Sequence, residues 1–532
     1  MDNKNKIIIV GAGISGLTTA TSLAMKGHNV TILEKNDTCG GLVNSFERDG
    51  FIFDGGIRAV ENSGMLIPML KELEIDLELL QSKVSVGIED KIIVADNKDS
   101  INDYERILKE LYPNSTNDVE KVIKVIAKFD TYMQVLFGND SPFFKDVKRN
   151  LGYYFSTFIV WIFKFLATGA AIMRMQIPME KFLNDLLEDK ALNDIISQHF
   201  FKKTPAFFAM SYFSLYPDYY YPKGGVGSLP KALATKIIKL GSEIKNNTEI
   251  IDIDAKNKIL KDTDGNVYEY DKLIWCADMK HLYSKINPED FTSSIKDKLI
   301  DEKNRILSSH GAESVFTLFL EVNLPYEYFK NISAGHFFYT PSKKGLGELH
   351  RKDLNNILNN WDNLDKEDFY KWLKAYCDLN TFEISIPVLN DIDAAPKGKT
   401  GIIASFLFDY ELTRRIKEEG WYDEFNEKIC EYIIDTLNSS VYKKLKDNII
   451  SYFSASPLSI NQRVNSSEGA IVGWSFENEI PIKASMLNMK NAIITPIPDL
   501  YRAGQWTVSP AGLPTSIMTA KMAADLVHKE LS

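Results

Sequence analysis

Ile7-Ile-Ile-Val10-Gly11-Ala-Gly13-Ile14-Ser15-Gly16 stands almost at the start of the chain, and a second apolar run, Val30-Thr-Ile-Leu33, ends at Glu34. The pattern is a buried strand, a three-glycine turn, a helix of small residues and a second strand closed by an acid. Together these make a dinucleotide-binding unit. Gly11 permits the tight turn, Gly13 lets the backbone approach a pyrophosphate, and Gly16 lets the helix pack close to the strand. The helix N-terminus presents unpaired N–H groups and a positive dipole end to phosphate. Glu34 is placed to accept hydrogen bonds from the adenosine ribose. Three glycines alone are a weak sign. With both strands and the acid in register, they predict a bound dinucleotide.

The next segment indicates which dinucleotide. Lys35-Asn-Asp-Thr-Cys-Gly40-Gly41-Leu42 adds a second glycine turn, and Phe51-Ile-Phe-Asp54-Gly55-Gly56-Ile57-Arg58 follows it. Nicotinamide dehydrogenases have no need of this second turn, whereas two-domain flavoproteins run it along FAD. Near the other end come Asp499-Leu-Tyr-Arg-Ala-Gly504-Gln505-Trp506 and Pro510-Ala-Gly512-Leu513-Pro514. They read as a strand, a glycine turn and a helix with proline in its first turn. A helix N-terminus aimed at the flavin pyrimidine would stabilise the charge that gathers at N1 and O2 on reduction.

On these residues the chain resembles the phytoene desaturase family of FAD-dependent oxidoreductases, which includes carotenoid desaturases, a carotenoid isomerase and retinol saturase. The resemblance runs nearly end to end. It also covers Tyr221-Pro-Lys-Gly224-Gly225, the segment Gly241–Ile253, Ala395-Pro-Lys-Gly, Ser456-Pro-Leu and Glu468-Gly-Ala-Ile-Val-Gly473-Trp474. It implies that FAD is held by Gly11, Gly13, Ile14, Ser15, Gly16, Glu34 and Lys35. Gly40, Gly41 and Leu42 continue the site, followed by Gly55, Gly56, Ile57 and Arg58. Ile250 looks like a backbone contact to adenine, beside Ala277, while Gly504, Gln505, Gly512, Leu513 and Pro514 close the ring end. One departure stands out: many members have Gly-Asp where this chain has Gly504-Gln505. The glutamine oxygen still accepts a ribitol hydrogen bond, but without charge assistance. A fold relative that has lost its flavin, as GDP-dissociation inhibitors have, is the alternative.

At 532 residues the chain exceeds one hydrophobic core, and 45% hydrophobic with 25% charged residues is ordinary for a globular protein. A net charge of −10 argues against nucleic acid as a partner. Cys39, Cys276, Cys377 and Cys430 show no metal spacing, so reduced thiols and no metal site are expected. The N-terminus runs directly into the first strand, which points to the cytosol or the cytosolic face of a membrane. The expected fold is α/β. A Rossmann-type FAD-binding domain is assembled from the discontinuous segments 1–95, 215–285 and 480–532. An α+β substrate domain with a mixed sheet and helices comes from 96–214 and 286–479. Helical spacing marks Asp118–Phe137, Met179–Ile196 and Trp421–Leu437, while Ser314–Leu320 and Gly401–Phe408 read as strands.

Tyr153–Met173 is about long enough to span a bilayer. Its Lys164 costs about 2.5–3.5 kcal/mol at the centre, which roughly cancels the apolar gain. A single span would also put the two flavin segments on opposite sides of the membrane. The stretch is therefore read either as a buried helix or as a helix lying in the membrane interface, preceded by Lys145, Lys148 and Arg149. The second reading makes peripheral membrane contact an expectation.

The family implies a long unsaturated, carotenoid- or retinoid-like substrate that is desaturated, saturated or isomerised beside flavin N5, with an external electron donor or acceptor left open. The apolar slot is expected from Tyr216, Tyr221 and Trp474, each of which could equally be core. Arg58 is the one catalytic candidate, stabilising anionic reduced flavin or merely pairing with Glu61. His310 and His336 are isolated and read as structural. An amine-oxidase-like enzyme with a polar substrate, marked by carboxylates and an aromatic cage, and a non-catalytic binding protein are the other readings.

Overall fold

The computed structural model describes residues 5–137, 168–169, 175–482, 488–509 and 511–532. Tyr153–Met173, with both of its readings, lies outside the described residues except for Thr168 and Gly169. Among the described residues no helix is long and apolar enough to cross a membrane.

Five parallel strands form the first sheet, in the order Glu243–Lys245, Val30–Leu33, Ile7–Val10, Lys272–Trp275, Leu500–Arg502. Side chains alternate across a strand, and a parallel sheet is buried on both faces, so the central strand Ile7–Val10 is apolar throughout, whereas the edge strand Glu243–Lys245 carries two charges. Ile7, Ile9, Ile32, Ile274 and Tyr501 face the helices Ile14–Met25, Ser228–Lys239 and Leu513–Leu531. Ile8, Val10, Leu33, Leu273, Trp275 and Leu500 pack on the opposite side with residues of Met279–Lys285 and Ser293–Ser308. Small residues let the first and last helices approach: Ala20 packs in one cluster with Ala520, Ala523 and Ala524.

The second large sheet has seven strands, in the order Ile449–Ala455, Ser314–Val322, Thr400–Phe408, Phe382–Ser385, His336–Thr340, Val84–Ile88, Lys91–Val94. It is mixed, with His336–Thr340 and Val84–Ile88 the parallel pair. One face packs under Lys366–Leu379 and Tyr422–Ser440 and buries Phe316, Leu318, Phe337, Phe382, Ile384 and Ala404. The other face turns toward the first sheet. A helical cluster built on Ser100–Leu111, Thr116–Phe137 and Met179–Leu186 flanks it.

Three expectations need correction. The boundary at residue 95 falls near 82, because Val84–Ile88 and Lys91–Val94 pair into the seven-stranded sheet. The boundary at 286 is also displaced, since Leu299, Ile306 and Trp474 pack on the parallel sheet. Met179–Ile196 is two helices, not one. Asp189 breaks it by accepting from the N–H groups of Ala191 and Leu192, capping Lys190–Ser197. The helices Thr116–Phe137 and Tyr422–Ser440 and the strands Ser314–Val322 and Thr400–Phe408 form as the spacing predicts.

Close packing in the first turn is testable. A Cβ at Gly16 would lie 1.9 Å from the Gly11 carbonyl oxygen, a backbone atom that cannot swing away. Gly16→Val is expected to lower stability by about 1–3 kcal/mol or more, read as a fall in the urea midpoint. An unchanged midpoint would show that the turn relaxes at no cost.

Candidate active site

The first glycine turn opens into a cavity of about 490 Å³. Gly11 has φ +99°, and a Cβ there would press on the Cys276 carbonyl. Gly13 differs. It has ordinary dihedrals, and a Cβ on it would meet nothing within 4 Å, because it faces the open cleft. Gly40 and Gly41 form the second turn at φ +121° and +60°. The turns are tied together, since Gly40 N–H donates to the Ala12 carbonyl at 2.8 Å. Glu34 accepts from Ala12 N–H at 2.6 Å through one oxygen and from Asn36 N–H at 2.9 Å through the other. A carboxylate has about four lone-pair positions, so one remains beyond these and the Asn36 side-chain amide.

Most of the residues singled out in the sequence converge on this cleft. Gly11, Gly13, Ile14, Ser15, Glu34 and Lys35 line it from one side, and Gly40, Gly41, Leu42 and Ile57 from another. Ile250, Ala277, Gln505, Gly512 and Leu513 complete the lining. Gly16, Gly504 and Pro514 stand behind the wall. Gly504, at φ +106°, packs against the Ser15 side chain, where a Cβ would come within 2.8 Å of its hydroxyl. Backbone N–H groups at a helix start, an acid and room at Gly13 suit a pyrophosphate-linked dinucleotide.

A second cavity, of about 270 Å³, adjoins the first. Leu42, Ile57, Ile471, Val472, Gly512 and Leu513 belong to both. Gly55, Gly56 and Arg58 line the second, and a Cβ at Gly56 would strike the Leu42 carbonyl at 1.9 Å. Arg58 is buried. It does not pair with Glu61; its guanidinium donates to the Asp54 carbonyl, to Ser405 Oγ at 2.6 Å and to Thr317 Oγ1 at 3.3 Å. A third, apolar pocket of about 50 Å³ continues the series, sharing His199, Phe200, Tyr212, Phe338 and Thr381 with the second.

The slot residues need correction. Tyr216 lines the third pocket. Tyr221 lines none of these cavities; it is fully buried, and its hydroxyl donates to Asp54 Oδ2 at 2.9 Å. Trp474 is likewise fully buried, with Nε1 donating to the Trp506 carbonyl at 2.8 Å. Both are core. His310 is exposed beside Glu468. His336, read as structural, instead lines the second cavity, with Nε2 at 3.0 Å from Glu383 Oε1.

Glu61, expected on the segment near the flavin, lines the same cavity, together with Glu383 and His199, which no motif signalled. Burial works to raise the Glu383 carboxyl, but the hydrogen bond and charge of His336, with Arg58 and His199 nearby, outweigh it and hold it below the usual range. Burial pushes His199 down to about 4, against the pull of Glu383. Burial, helped by the charge of Asp218, lifts Glu61 to about 8. Two carboxyl groups in one chamber are thus held in opposite protonation states at neutral pH, the arrangement that separates an acid from a base.

With this geometry in hand, the comparisons define the class. The chain belongs to the family of flavin-containing amine oxidoreductases, whose profile matches residues 14–336. It is a flavin-dependent oxidoreductase. Among individual proteins, it is 24% identical over 545 residues to the 4,4'-diapophytoene desaturase (4,4'-diaponeurosporene-forming) of Staphylococcus aureus strain COL, covering 99% of each chain. The fold is shared with an oxidoreductase from Methanosarcina mazei, at TM-score 0.61 and 14% identity over 98% of this chain and 100% of that one. A putative protoporphyrinogen oxidase from Exiguobacterium sp. 255-15 has TM-score 0.57 and 14% identity over 99% of each chain.

The elevated Glu61 gives a pH-dependent prediction. Its folded value lies above its unfolded one, so the folded state binds more protons and stability falls as pH rises toward about 8. The stability of Glu61→Gln relative to wild type should therefore increase from about pH 4.5 to about pH 8 and level off above that, measured as the difference in urea midpoints. A constant difference would mean that Glu61 ionises normally.

Proposed function

We propose that the protein is an FAD-dependent oxidoreductase that desaturates, saturates or isomerises carbon–carbon bonds of a long, largely apolar, unsaturated molecule. The observation that carries this reading is the succession of three adjoining cavities that share wall residues. The first begins at the glycine turns, the second passes Gly55, Gly56 and Arg58, and the third ends among Ile126, Ile195, Met210 and Phe213. Such a path holds a dinucleotide at one end and a chain-like substrate at the other. The full-length similarity to a carotenoid desaturase supports the same substrate class.

When bound, FAD supplies a site that accepts or donates hydride. The glycine turns and Glu34 would hold its diphosphate and ribose, and the N-terminus of Leu513–Leu531 would face its ring. The aromatic walls of the second cavity exclude water and hold one bond of the substrate in place. The segments 1–82, 215–308 and 480–532 are then the cofactor-binding unit, and the seven-stranded sheet walls the substrate. Delivery of so apolar a substrate suits peripheral contact with a membrane surface, with an external partner exchanging electrons.

A second reading, an enzyme of polar amines, is favoured by one observation: Glu61 and Glu383 share the second cavity with Phe200, Tyr212, Tyr219 and Phe338.

Two measurements test these assignments. In the fold without its cofactor a Cβ at Gly13 meets nothing within 4 Å, so Gly13→Val is aimed at the open cleft. It should keep the urea midpoint of the flavin-free wild type and purify colourless, since the methyl groups occupy the pyrophosphate position; a yellow variant removes the cofactor from this cleft. In anaerobic mixing, polyenes should bleach or shift the visible flavin band and polyamines should not. The reverse result establishes the amine reading.

A further inference from the structure

The second cavity holds a charge that a hydrocarbon cannot use. Glu383 lies in Phe382–Ser385, an interior strand of the seven-stranded sheet flanked by Thr400–Phe408 and His336–Thr340. Strand alternation sends Phe382 and Ile384 into the core beneath the helices and turns Glu383 to the opposite face. There its side chain is 37% exposed, although the strand is central; the free surface is cavity wall, beside Phe338, Phe406 and Leu407.

Among the described residues, His336 is the one group that hydrogen-bonds this carboxylate, and it approaches Oε1. Oε2 is left toward the cavity with its acceptor capacity unused. Arg58 lines the same cavity and its charge is felt by Glu383, but its terminal N–H groups go to the Asp54 carbonyl, Ser405 and Thr317, and among the described residues its Nε–H has no partner. His199 is kept neutral at physiological pH by burial, and Glu61 is mostly protonated there. A wholly apolar occupant would strip water from Glu383 and return no hydrogen bond, which is unfavourable. An anionic head group would meet like charge.

We propose that the molecule bound in this cavity is apolar but carries a hydrogen-bond donor, a hydroxyl or an ammonium, which Glu383 Oε2 accepts while His336 holds the carboxylate in place. The inference rests on reading the second and third cavities as the substrate site, and it adds the head group to that reading. Glu383 is thereby the specificity-determining residue and His336 its positioning partner.

Ligand binding to the flavin-loaded protein tests this without turnover. The dissociation constants of 1-octanol, octylammonium, octanoate and n-octane are measured from the perturbation of the flavin spectrum. Octanol, octylammonium or both should bind at least about tenfold tighter than octane and octanoate. Glu383→Leu should erase that preference. Glu383→Gln keeps an acceptor and loses the charge, so it should spare octanol binding and weaken octylammonium, which distinguishes the two head groups. His336→Asn should weaken the preference partially, with flavin content unchanged. Equal affinity for all four probes in the wild type overturns the proposal, as does a preference that survives in both Glu383 variants. If Glu383→Leu fails to fold, the wild-type series and Glu383→Gln decide the matter. Binding of octane with no head-group preference leaves the apolar site standing and removes only the role of Glu383. Binding of none of the four removes both.

Discussion

The buried carboxylate of Asp54 fixes the junction on which the rest of the site depends. It is fully enclosed, and accepts from Ser45 Oγ at 2.6 Å, from Val226 N–H at 3.0 Å and from the Tyr221 hydroxyl at 2.9 Å. Burial raises its pKa against the opposing pull of those hydrogen bonds and of Arg58. An unpaired charge at such depth costs several kcal/mol, so these partners are a requirement of the fold. Its carbonyl receives Arg58, whose guanidinium continues to Thr317 and Ser405 on two strands of the seven-stranded sheet. One short segment, Asp54–Arg58, thereby joins the hairpin Ser45–Arg48 and Phe51–Asp54, the segment after Pro222 and the second sheet. Gly55 and Gly56 lie within it, without room for side chains, where the first two cavities meet.

Given that junction, the polarity of the second cavity follows from strand parity. The strands Ser314–Val322, Phe382–Ser385 and Thr400–Phe408 place alternate residues in the core and on the cavity face. Thr317, Glu383 and Ser405 share that face because adjacent strands pair them in register, Glu383 opposite Ser405 and Thr317 opposite Ser405. A buried sheet that carries a threonine, a serine and a glutamate side by side gives up apolar burial. Arg58 recovers part of it by bonding two of the three. Glu383 is the member left over, with His336 from the next strand as its protein partner.

Legibility in the sequence followed the range of each constraint. The glycine turns could be read because what they demand is local: Gly11, Gly40 and Gly41 need positive φ, and Gly16 faces a carbonyl a few residues back. The long apolar strands and the helix at Leu513–Leu531 were readable for the same reason, since periodicity is carried by neighbours. Glu383 and His336 come together through sheet order, and His199 reaches them from the turn after Lys190–Ser197, which no local pattern encodes. The signal that existed was a lone charge at an alternate position of Phe382-Glu383-Ile384-Ser385. Tyr221 was misassigned because aromatic character alone cannot say what a ring faces. Its hydroxyl is claimed by Asp54, distant in sequence. The single helix expected over Met179–Ile196 failed on Asp189, whose side chain competes for backbone N–H groups and starts a new helix.

The first cleft is made by chain segments nearly the whole sequence apart, and this ties its existence to the docking of the C-terminal element. Helix Ile14–Met25 is buried along almost its full length, with Thr19 Oγ1 directed to carbonyls of Ser15 and Ala520. The last strand, Leu500–Arg502, adds to the sheet edge beside Lys272–Trp275, and Lys272 holds it through Asp499 and Glu530. Closing so long a loop is entropically costly, and the contacts that repay it are close-packed alanines and glycines with little area per residue. A dinucleotide lying between Gly13 and Gln505, as proposed, would bind the docked arrangement and not the separated one. By mass action it therefore shifts the chain toward the state in which both ends are in place. The same geometry that leaves Gly13 facing open space would thus make a cofactor bound there, as proposed, a structural tie between the two ends of the protein.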